Sequence, residues 1–285
     1  MKSREYIDIF SSGRESEKVS KKLKEFEESE RKRLVEDVKK SPEFQKFLES
    51  IDFELLRSLF EDVIKRTGLD LKGANFLGPD RITSEMFSDN NHGEYRIDSN
   101  LIGLSYIGVK KRSELKGLNL NLLLLRGFIH EETHAVSKSA CYGTGDVRTG
   151  FQTNTRASWI LLDEAVTEKL SGEVFEEYLR TKPDFANHDD KQIFRVGYNS
   201  IYSQGIKLLE LLIDRISKDQ GVPIEVVWTG LVRSKLEGES LWEEETREFF
   251  NSISPDFFER LQKATTKEDV EYLIQKLTQS LPSTP

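Results

Sequence analysis

Apolar residues in the first part of the chain recur at steps of three and four positions, the period of an amphipathic helix. Over residues 14–49 this stripe crosses a segment dense in Lys and Glu, and it runs through Val19, Leu23, Phe26, Leu34 and Val38. The charged positions between these residues predict a solvated helical face with i,i+4 ion pairs. A coiled-coil contact with a partner is the alternative, which the interruption of the stripe at Glu30 disfavours.

A second helical segment is predicted over residues 43–66. The Ser41-Pro42 step favours a chain break followed by a new helix start, and Gly68 is the expected helix end. Its apolar positions are Phe44, Phe47, Leu48, Leu55, Leu56, Leu59, Phe60 and Ile64. Residues 73–93 follow, and their abundance of Gly, Pro, Asp and Asn predicts loops.

Residues 93–109 change to a period of two, which is typical of β-strands. The alternating residues are Tyr95, Ile97, Ile102, Leu104 and Tyr106. They predict two short strands around a turn at residues 98–100. From Asn119 the pattern turns helical to the end of the chain, with Asn119 or Asn121 as the N-cap. The predicted fold class is therefore α+β and mostly helical, with a small sheet before the central helix.

Composition and charge limit the possible functions. The 285 residues, 36% hydrophobic and 32% charged, are typical of a globular protein with a core that needs no disulfides. The net charge of −8 repels phosphate backbones, so no nucleic-acid partner is expected.

The cellular location is predicted from the absence of targeting signals. The single cysteine, Cys141, cannot form an intramolecular disulfide, and it is expected to be a buried helix-end residue rather than a metal ligand. The N-terminus lacks a secretory signal, and no apolar stretch approaches the ~18 residues of a membrane helix. A cytoplasmic protein without membrane association is expected.

The central predicted helix carries an H-E-x-x-H motif from His130 to His134. Because residues i and i+4 lie one turn apart on a helix face, both imidazoles can reach one zinc ion. Glu131 follows the first ligand and can take a proton from a zinc-bound water, whose pKa falls from ~15.7 toward ~7. The motif contains two of the chain's four histidines, and the apolar residues before it predict burial rather than a polar surface helix.

A catalytic zinc site needs a third protein ligand. Glu164 and Glu168 are four positions apart on a later predicted helix whose other positions are largely apolar. One carboxylate can bind the metal, while the other can accept the free ring N–H of a ligating histidine. A solvated face is the alternative for such a pair, and the apolar neighbours leave little room for it.

These segments resemble the gluzincins, the thermolysin-like superfamily of zinc peptidases. Gluzincins combine H-E-x-x-H on one helix with Asn-Glu-x-x-x-Asp/Glu on a following helix, and residues 163–168 look like the second element, with Asp163 in place of Asn. The resemblance implies that Glu164 is the third zinc ligand and that Glu168 is the carboxylate that orients a ligating histidine.

The resemblance also implies a zincin-like catalytic core with a helical C-terminal part. The predicted division is a charged helical region, 1–72, followed by a metallopeptidase domain, 73–285. That domain comprises a small sheet (94–109), the H-E-x-x-H helix (119–140), a loop (141–156), the Glu-bearing helix (156–180) and a helical C-terminal part (190–285). Zincins place an edge strand above the metal helix to pair with an extended peptide, and Ile102–Tyr106 is expected to be that strand.

Residues 198–205 are similar to the Tyr-x-x-Gly segment of the gluzincin aminopeptidases. In that family the tyrosine donates a hydrogen bond to the oxyanion, a catalytic role that the resemblance assigns to Tyr202. Tyr198 is the reserve candidate, and two core tyrosines are the alternative. His188 is a further possible donor, with less support for His92. The Gly-x-Met-Glu-Asn motif of these aminopeptidases is absent, so exopeptidase activity is not expected.

The predicted function is that of a zinc-dependent hydrolase, a peptidase that cleaves amide bonds of a peptide or protein substrate and needs no cofactor besides Zn²⁺. The alternative is a latent or inactive zincin-fold protein that binds a partner, with the charged helix at 14–40 lying across the cleft. The intact Glu131 argues against a lost activity, because a structural zinc site needs no base.

Overall fold

A computed structural model describes residues 42–69, 74–84, 93–97, 99–137, 139–141, 147–153, 159–187, 200–238 and 244–280. Residues 14–41 of the first predicted helix lie outside these ranges. Within them, ten α-helices and two three-stranded sheets form a mostly helical α+β structure, which confirms the predicted fold class at that level. No helix among the described residues is long and apolar enough to cross a membrane.

The helices are α1 (Pro42–Ser50), α2 (Phe53–Arg66), α3 (Tyr106–Lys116), α4 (Leu120–Val136), α5 (Ile160–Thr181), α6 (Ser200–Gln220), α7 (Ile224–Glu237), α8 (Glu244–Ile253), α9 (Phe257–Lys263) and α10 (Lys267–Ser280). The strands are β1 (Ile82–Ser84), β2 (Gly93–Arg96), β3 (Leu101–Leu104), β4 (Ser139–Cys141), β5 (Val147–Thr149) and β6 (Gln152–Thr153). Short 3-10 helices lie at Pro79–Arg81 and Phe185–Asn187.

The predicted helix over 43–66 is two helices, separated at Asp52. The Asp52 side chain accepts the backbone N–H of Leu55 at 3.0 Å and so caps α2, which ends before Gly68 in a left-handed conformation with φ +76°. Buried residues of α1 and α2 pack in one hydrophobic cluster with residues of α4 and α5. The division at 72/73 stays a prediction, although the helices before it share a core with the helices after it.

The first sheet has the strand order β1-β3-β2. The predicted pair of strands around residues 98–100 is confirmed, since β2 and β3 are antiparallel with Tyr95 opposite Ile102. The expectation that Ile102–Tyr106 is an edge strand is wrong. β3 is central because β1 pairs with its other side in parallel, and Tyr106 already belongs to α3. The parallel partner comes from residues that the composition predicted as loop.

The segment between α4 and α5 is also different from its prediction. Residues 141–156 were predicted as loop within a helical half, but β4, β5 and β6 form an antiparallel sheet there. Two residues, Gly150 and Phe151, join β5 to β6, and Gly150 has φ +57°. A positive φ at the first residue of a two-residue hairpin loop is the arrangement of a type II′ turn, which requires glycine.

The two helices of the metal motif are α4 and α5, close to their predicted bounds. Asn119 caps α4, because its side chain accepts the N–H groups of Asn121 and Leu122. α5 packs against α4, and its second half lies in the cluster with α1 and α2. Its first half lies in a second cluster with residues of α6, α9 and α10. The H-E-x-x-H segment of α4 therefore lies beside a helix whose apolar face is buried in both halves.

Candidate metal centre

Two histidines from α4 and one glutamate from α5 form a group that can hold a metal ion. One ligand atom each from His130, His134 and Glu164 lies within 4.8 Å of the others. The Nε2 atom of His130 is 3.1 Å from Glu164 Oε2, and Nε2 of His134 is 3.4 Å from Glu164 Oε1. Both imidazoles thus direct the same ring nitrogen at one carboxylate.

The second ring nitrogen of His130 is held by Glu168. Its Nδ1 lies 2.9 Å from Glu168 Oε2, and the other oxygen of that carboxylate is 2.7 Å from Nη2 of Arg126. Arg126 is buried and also donates to the Ser171 hydroxyl at 2.6 Å. Glu168 therefore lies against His130 and Arg126, and its role in orienting a metal ligand stays a prediction.

The second ring nitrogen of His134 faces Asp163. The distance from His134 Nδ1 to Asp163 Oδ2 is 3.4 Å, and Asp163 Oδ1 is 2.8 Å from Nζ of Lys235 on α7. Asp163 and Lys235 have no exposed side-chain surface. The sequence indicated neither Arg126 nor Lys235. A single lysine or arginine within an otherwise apolar helical stripe could have indicated them, since such a residue needs a partner when it is buried.

The charges of the group explain the protonation of its histidines. Burial opposes protonation of His130, but hydrogen bonds to Glu164 and Glu168 outweigh it and raise its pKa to about 10. Burial also opposes protonation of His134, yet the charge of Glu164 and the contact with Asp163 raise the pKa of this imidazole. Although burial by itself raises the pKa of Glu164, the two imidazoles hold it well below its usual range.

The carboxylates outnumber the buried cations at this centre. The imidazoles are surrounded by four carboxylates, those of Glu131, Asp163, Glu164 and Glu168. Among the described residues, only Arg126 and Lys235 supply positive charge against these carboxylates. Two positive charges are missing when all four carboxylates are ionised. Two protons on the histidines or one divalent cation can supply them. The donor set of two imidazoles and one carboxylate suits such a cation.

Glu131 is fixed beside the three ligand residues by β2. Its Oε2 accepts the backbone N–H of Tyr95 at 2.8 Å. Its charge contributes to the raised pKa of His130, so the two groups lie close together. A Cβ atom on Gly93 would lie 2.9 Å from Glu131 Cγ, so only glycine lets the strand approach so closely.

The neighbouring Glu132 points away from the ligands. Its Oε1 accepts the backbone N–H of Leu77 at 2.8 Å, while Oε2 has no hydrogen-bond partner in the described part of the chain. Burial, partly offset by that hydrogen bond, raises the pKa of Glu132 to about 8. Glu132 is therefore mostly protonated at neutral pH, and Glu131 is the carboxyl group that faces the centre.

Four other candidates cannot be compared with the geometry. The backbone of Tyr202 lies in α6, but its side chain is outside the description, as are Tyr198, His188 and His92 entirely. The oxyanion role of Tyr202 stays a prediction.

Cys141 lies in β4, so the expectation of a helix-end cysteine is wrong.

The chain matches no protein-family model, and it has no significant similarity to a curated protein or to a solved structure.

Proposed function

We propose that this protein is a zinc-dependent hydrolase of the gluzincin type, with zinc bound by His130, His134 and Glu164. The observation that supports it best is the convergence of both histidine Nε2 atoms on Glu164 while carboxylates face both Nδ1 atoms. In zinc enzymes this pairing fixes the tautomer and presents Nε2 to the metal. Two histidines and a glutamate are a known catalytic zinc set that leaves one position for water.

Zinc is the preferred cation because imidazole nitrogen suits it, and because this centre offers too few oxygen donors for magnesium or calcium. A zinc ion held by His130, His134 and Glu164 would supply an activated water molecule and a Lewis acid for an amide carbonyl. The role of Glu131 would be to accept a proton from the attacking water and deliver it to the leaving amine. The Tyr95 N–H orients the Glu131 carboxylate for this transfer.

The proposed substrate is a peptide or protein that pairs with β2. Residues of an antiparallel strand alternately direct their N–H and C=O groups toward the partner strand and away from it. The N–H of Tyr95 reaches Glu131, so Tyr95 and Gly93 belong to the outward-facing set. The outward N–H of Tyr95 bonds to Glu131, so this side of β2 runs beside the proposed general base. An extended peptide bound along it would lie next to the group that takes the proton from water.

The test compares two adjacent glutamates of the motif. Glu131→Gln should retain zinc and lose about 10²- to 10⁴-fold in peptide hydrolysis, because it removes the general base. Glu132→Gln is the matched control, and it should retain both zinc and activity, because Glu132 is mostly protonated where it is buried and a glutamine oxygen can still accept the Leu77 N–H. His134→Ala should lose zinc and activity together.

Zinc content is measured by elemental analysis and hydrolysis with a synthetic peptide library. Undiminished turnover of Glu131→Gln overturns the proposed mechanism. A wild-type protein that binds zinc but cleaves no peptide supports the alternative of a partner-binding protein, and one that binds no zinc overturns the metal centre itself.

A further inference from the structure

A buried lysine, Lys235, contacts the edge of the candidate metal centre. It lies on α7, a helix that carries none of the proposed metal ligands. Lys235 has no exposed side-chain surface, and its Nζ is 2.8 Å from Oδ1 of Asp163, which is equally buried. Lysine is almost never fully buried unless it is paired, because removal of its charge from water is costly. The pair spans 72 positions of sequence.

Asp163 divides its two oxygens between different tasks. Oδ1 accepts hydrogen bonds from Lys235 Nζ at 2.8 Å and from the backbone N–H of Phe151 at 2.9 Å. Oδ2 has no hydrogen bond in the described part of the chain, and the His134 ring nitrogen Nδ1 lies 3.4 Å from it. The carboxylate is therefore anchored through one oxygen, and its other oxygen is directed at a ligating imidazole.

The hairpin turn between β5 and β6 completes the enclosure of this pair. A Cβ atom on Gly150 would lie 2.4 Å from Asp163 Oδ1 and 2.9 Å from Lys235 Nζ. Gly150 also has φ +57°, a conformation that side-chain-bearing residues rarely adopt. Three separate segments thus converge on one carboxylate, which leaves Asp163 little freedom to turn away from His134.

We propose that Lys235 is a positioning residue of the metal centre, which acts through Asp163 on His134. Lys235 fixes the Asp163 carboxylate so that Oδ2 faces Nδ1 of His134, which keeps Nε2 of that imidazole directed at the metal. Arg126 and Glu168 form the corresponding arrangement behind His130. The inference rests on the proposed metal centre, but it does not require peptidase activity.

The proposal requires that Lys235 increases zinc affinity only when Asp163 is present. With Asp163 present, Lys235→Met should weaken zinc affinity about 10- to 100-fold, the usual effect of losing a partner that orients a metal ligand. In the Asp163→Asn variant, Lys235 no longer has a carboxylate to hold in place. Its positive charge then only repels the zinc ion. In that background Lys235→Met should leave zinc affinity unchanged or increase it.

Zinc affinity is measured by competition with a fluorescent chelator on the full chain. Arg233→Met is the matched control, because Arg233 lies on the same helix in an exposed i,i+4 pair with Glu237. It should bind zinc like the wild type. Lys235→Met leaves a buried unpaired carboxylate, which by itself can prevent folding. The double variant Asp163→Asn/Lys235→Met carries no charge at this place and supplies the comparison with Asp163→Asn in either case.

The outcomes separate the inference from the proposed function. The inference is overturned if Lys235→Met folds and binds zinc like Arg233→Met, or if it weakens zinc binding equally in both backgrounds. If Lys235→Met does not fold, a tenfold loss between Asp163→Asn and the double variant overturns it, and an unchanged or increased affinity supports it. A wild-type protein without zinc affinity overturns both proposals, whereas zinc binding without hydrolysis overturns only the peptidase.

Discussion

At the residue scale, each histidine of the motif is in contact through both ring nitrogens. Nδ1 of His130 faces Glu168, Nδ1 of His134 faces Asp163, and Nε2 of each faces Glu164. Behind the two outer carboxylates lie Arg126 and Lys235. This layering balances charge locally, because each buried carboxylate behind a histidine has its own cation.

Gly93 is predicted to be essential for the position of Glu131. In Gly93→Ala the new Cβ would lie 2.9 Å from Glu131 Cγ and 3.2 Å from its Oε1, so the carboxylate must move. Misplacement of a catalytic group by ~1 Å can cost about a hundredfold, so we expect a loss of about 10- to 100-fold in kcat. Zinc content should not change, because the three atoms nearest to the new Cβ belong to Glu131 and Leu104 and not to a ligand residue.

Gly230→Ala is the control for this substitution. A Cβ atom there meets nothing within 4 Å, so kcat should be unchanged. Wild-type kcat in Gly93→Ala would contradict the role of the β2 approach in positioning Glu131. Loss of zinc from that variant would show instead that the strand supports the whole metal centre.

The residues of the centre differ in how far the sequence indicates them. His130, Glu131 and His134 follow from helical periodicity alone, since the spacing that places them on one face is local. The spacing of Glu164 and Glu168 in an apolar helix indicated the pair, and the resemblance to a family was needed to predict which of the two binds the metal. The sequence could show that Lys235 and Arg126 need buried partners but not which partners, because Lys235 is 72 positions from Asp163 and Arg126 is 42 positions from Glu168. Such pairings are set by how the helices pack.

At the scale of the element, the N-terminal cap of α4 is predicted to stabilise the helix that carries the motif. Asn119 accepts two backbone N–H groups, and its Nδ2 donates to the carbonyl of Ala186 at 2.5 Å. Asn119→Ala should therefore lower the free energy of unfolding by about 1 kcal/mol or slightly more. The ligands lie more than two turns away, so zinc affinity should change little.

Asn121→Ala is the matched control for the cap. The sequence left both asparagines open, and the structure assigns the cap to Asn119. Asn121 contributes only its backbone N–H to that cap, so its replacement should alter the free energy of unfolding by less than about 0.5 kcal/mol. Chemical denaturation of both variants measures the difference. Equal losses would argue against the assignment.

The helices were predictable from sequence to a greater degree than the strands. The periods that marked α2, α4 and α5 extend over many residues, so a few exceptions do not hide them. β1 has three residues and β6 has two, which is too short for an alternation to be recognised. The order β1-β3-β2 depends on a parallel pairing between distant segments, and for this reason the edge strand was assigned to β3 instead of β2.

At the scale of the whole molecule, the metal centre lies where two hydrophobic clusters meet on α5. Leu162, Ala165 and Val166 pack with the C-terminal helices, whereas Leu170 and Val174 pack with α1, α2 and α4. Glu164 and Glu168 lie along this transition. A metal ion bound at this place would join α4, from one cluster, to α5 at its entry into the other, and it would stabilise the fold by mass action.

The pH dependence of metal binding follows from the charge that the metal-free centre lacks. Without a metal, the neighbouring carboxylates outweigh burial and raise the pKa of His130 to about 10, so this imidazole is protonated near neutrality. The pKa of His134 is raised as well, so it holds its proton more tightly than a free imidazole does. A metal ion must displace these protons. Binding should release up to about two protons per ion, and the apparent affinity should increase as the pH rises.

The difference in stability between the metal-bound and the metal-free form should also increase as the pH rises. A raised histidine pKa stabilises the metal-free fold fully below the unfolded value of 6.5, and for His130 this contribution is lost as the pH rises toward about 10. In the metal-bound form both imidazoles are deprotonated, so no such loss occurs. The gain in Tm on adding zinc should therefore be larger at about pH 8 than at about pH 6.

Two measurements check this dependence. Titration calorimetry in two buffers of different ionisation enthalpy counts the protons released, and thermal unfolding with and without zinc gives the gain in Tm at each pH. His134→Ala is the control, and it should bind zinc poorly and show no pH-dependent gain. Zinc binding without proton release would mean that the imidazoles are neutral before the ion arrives. The excess of negative charge would then be balanced by other means, and the argument for a divalent cation from charge would be lost.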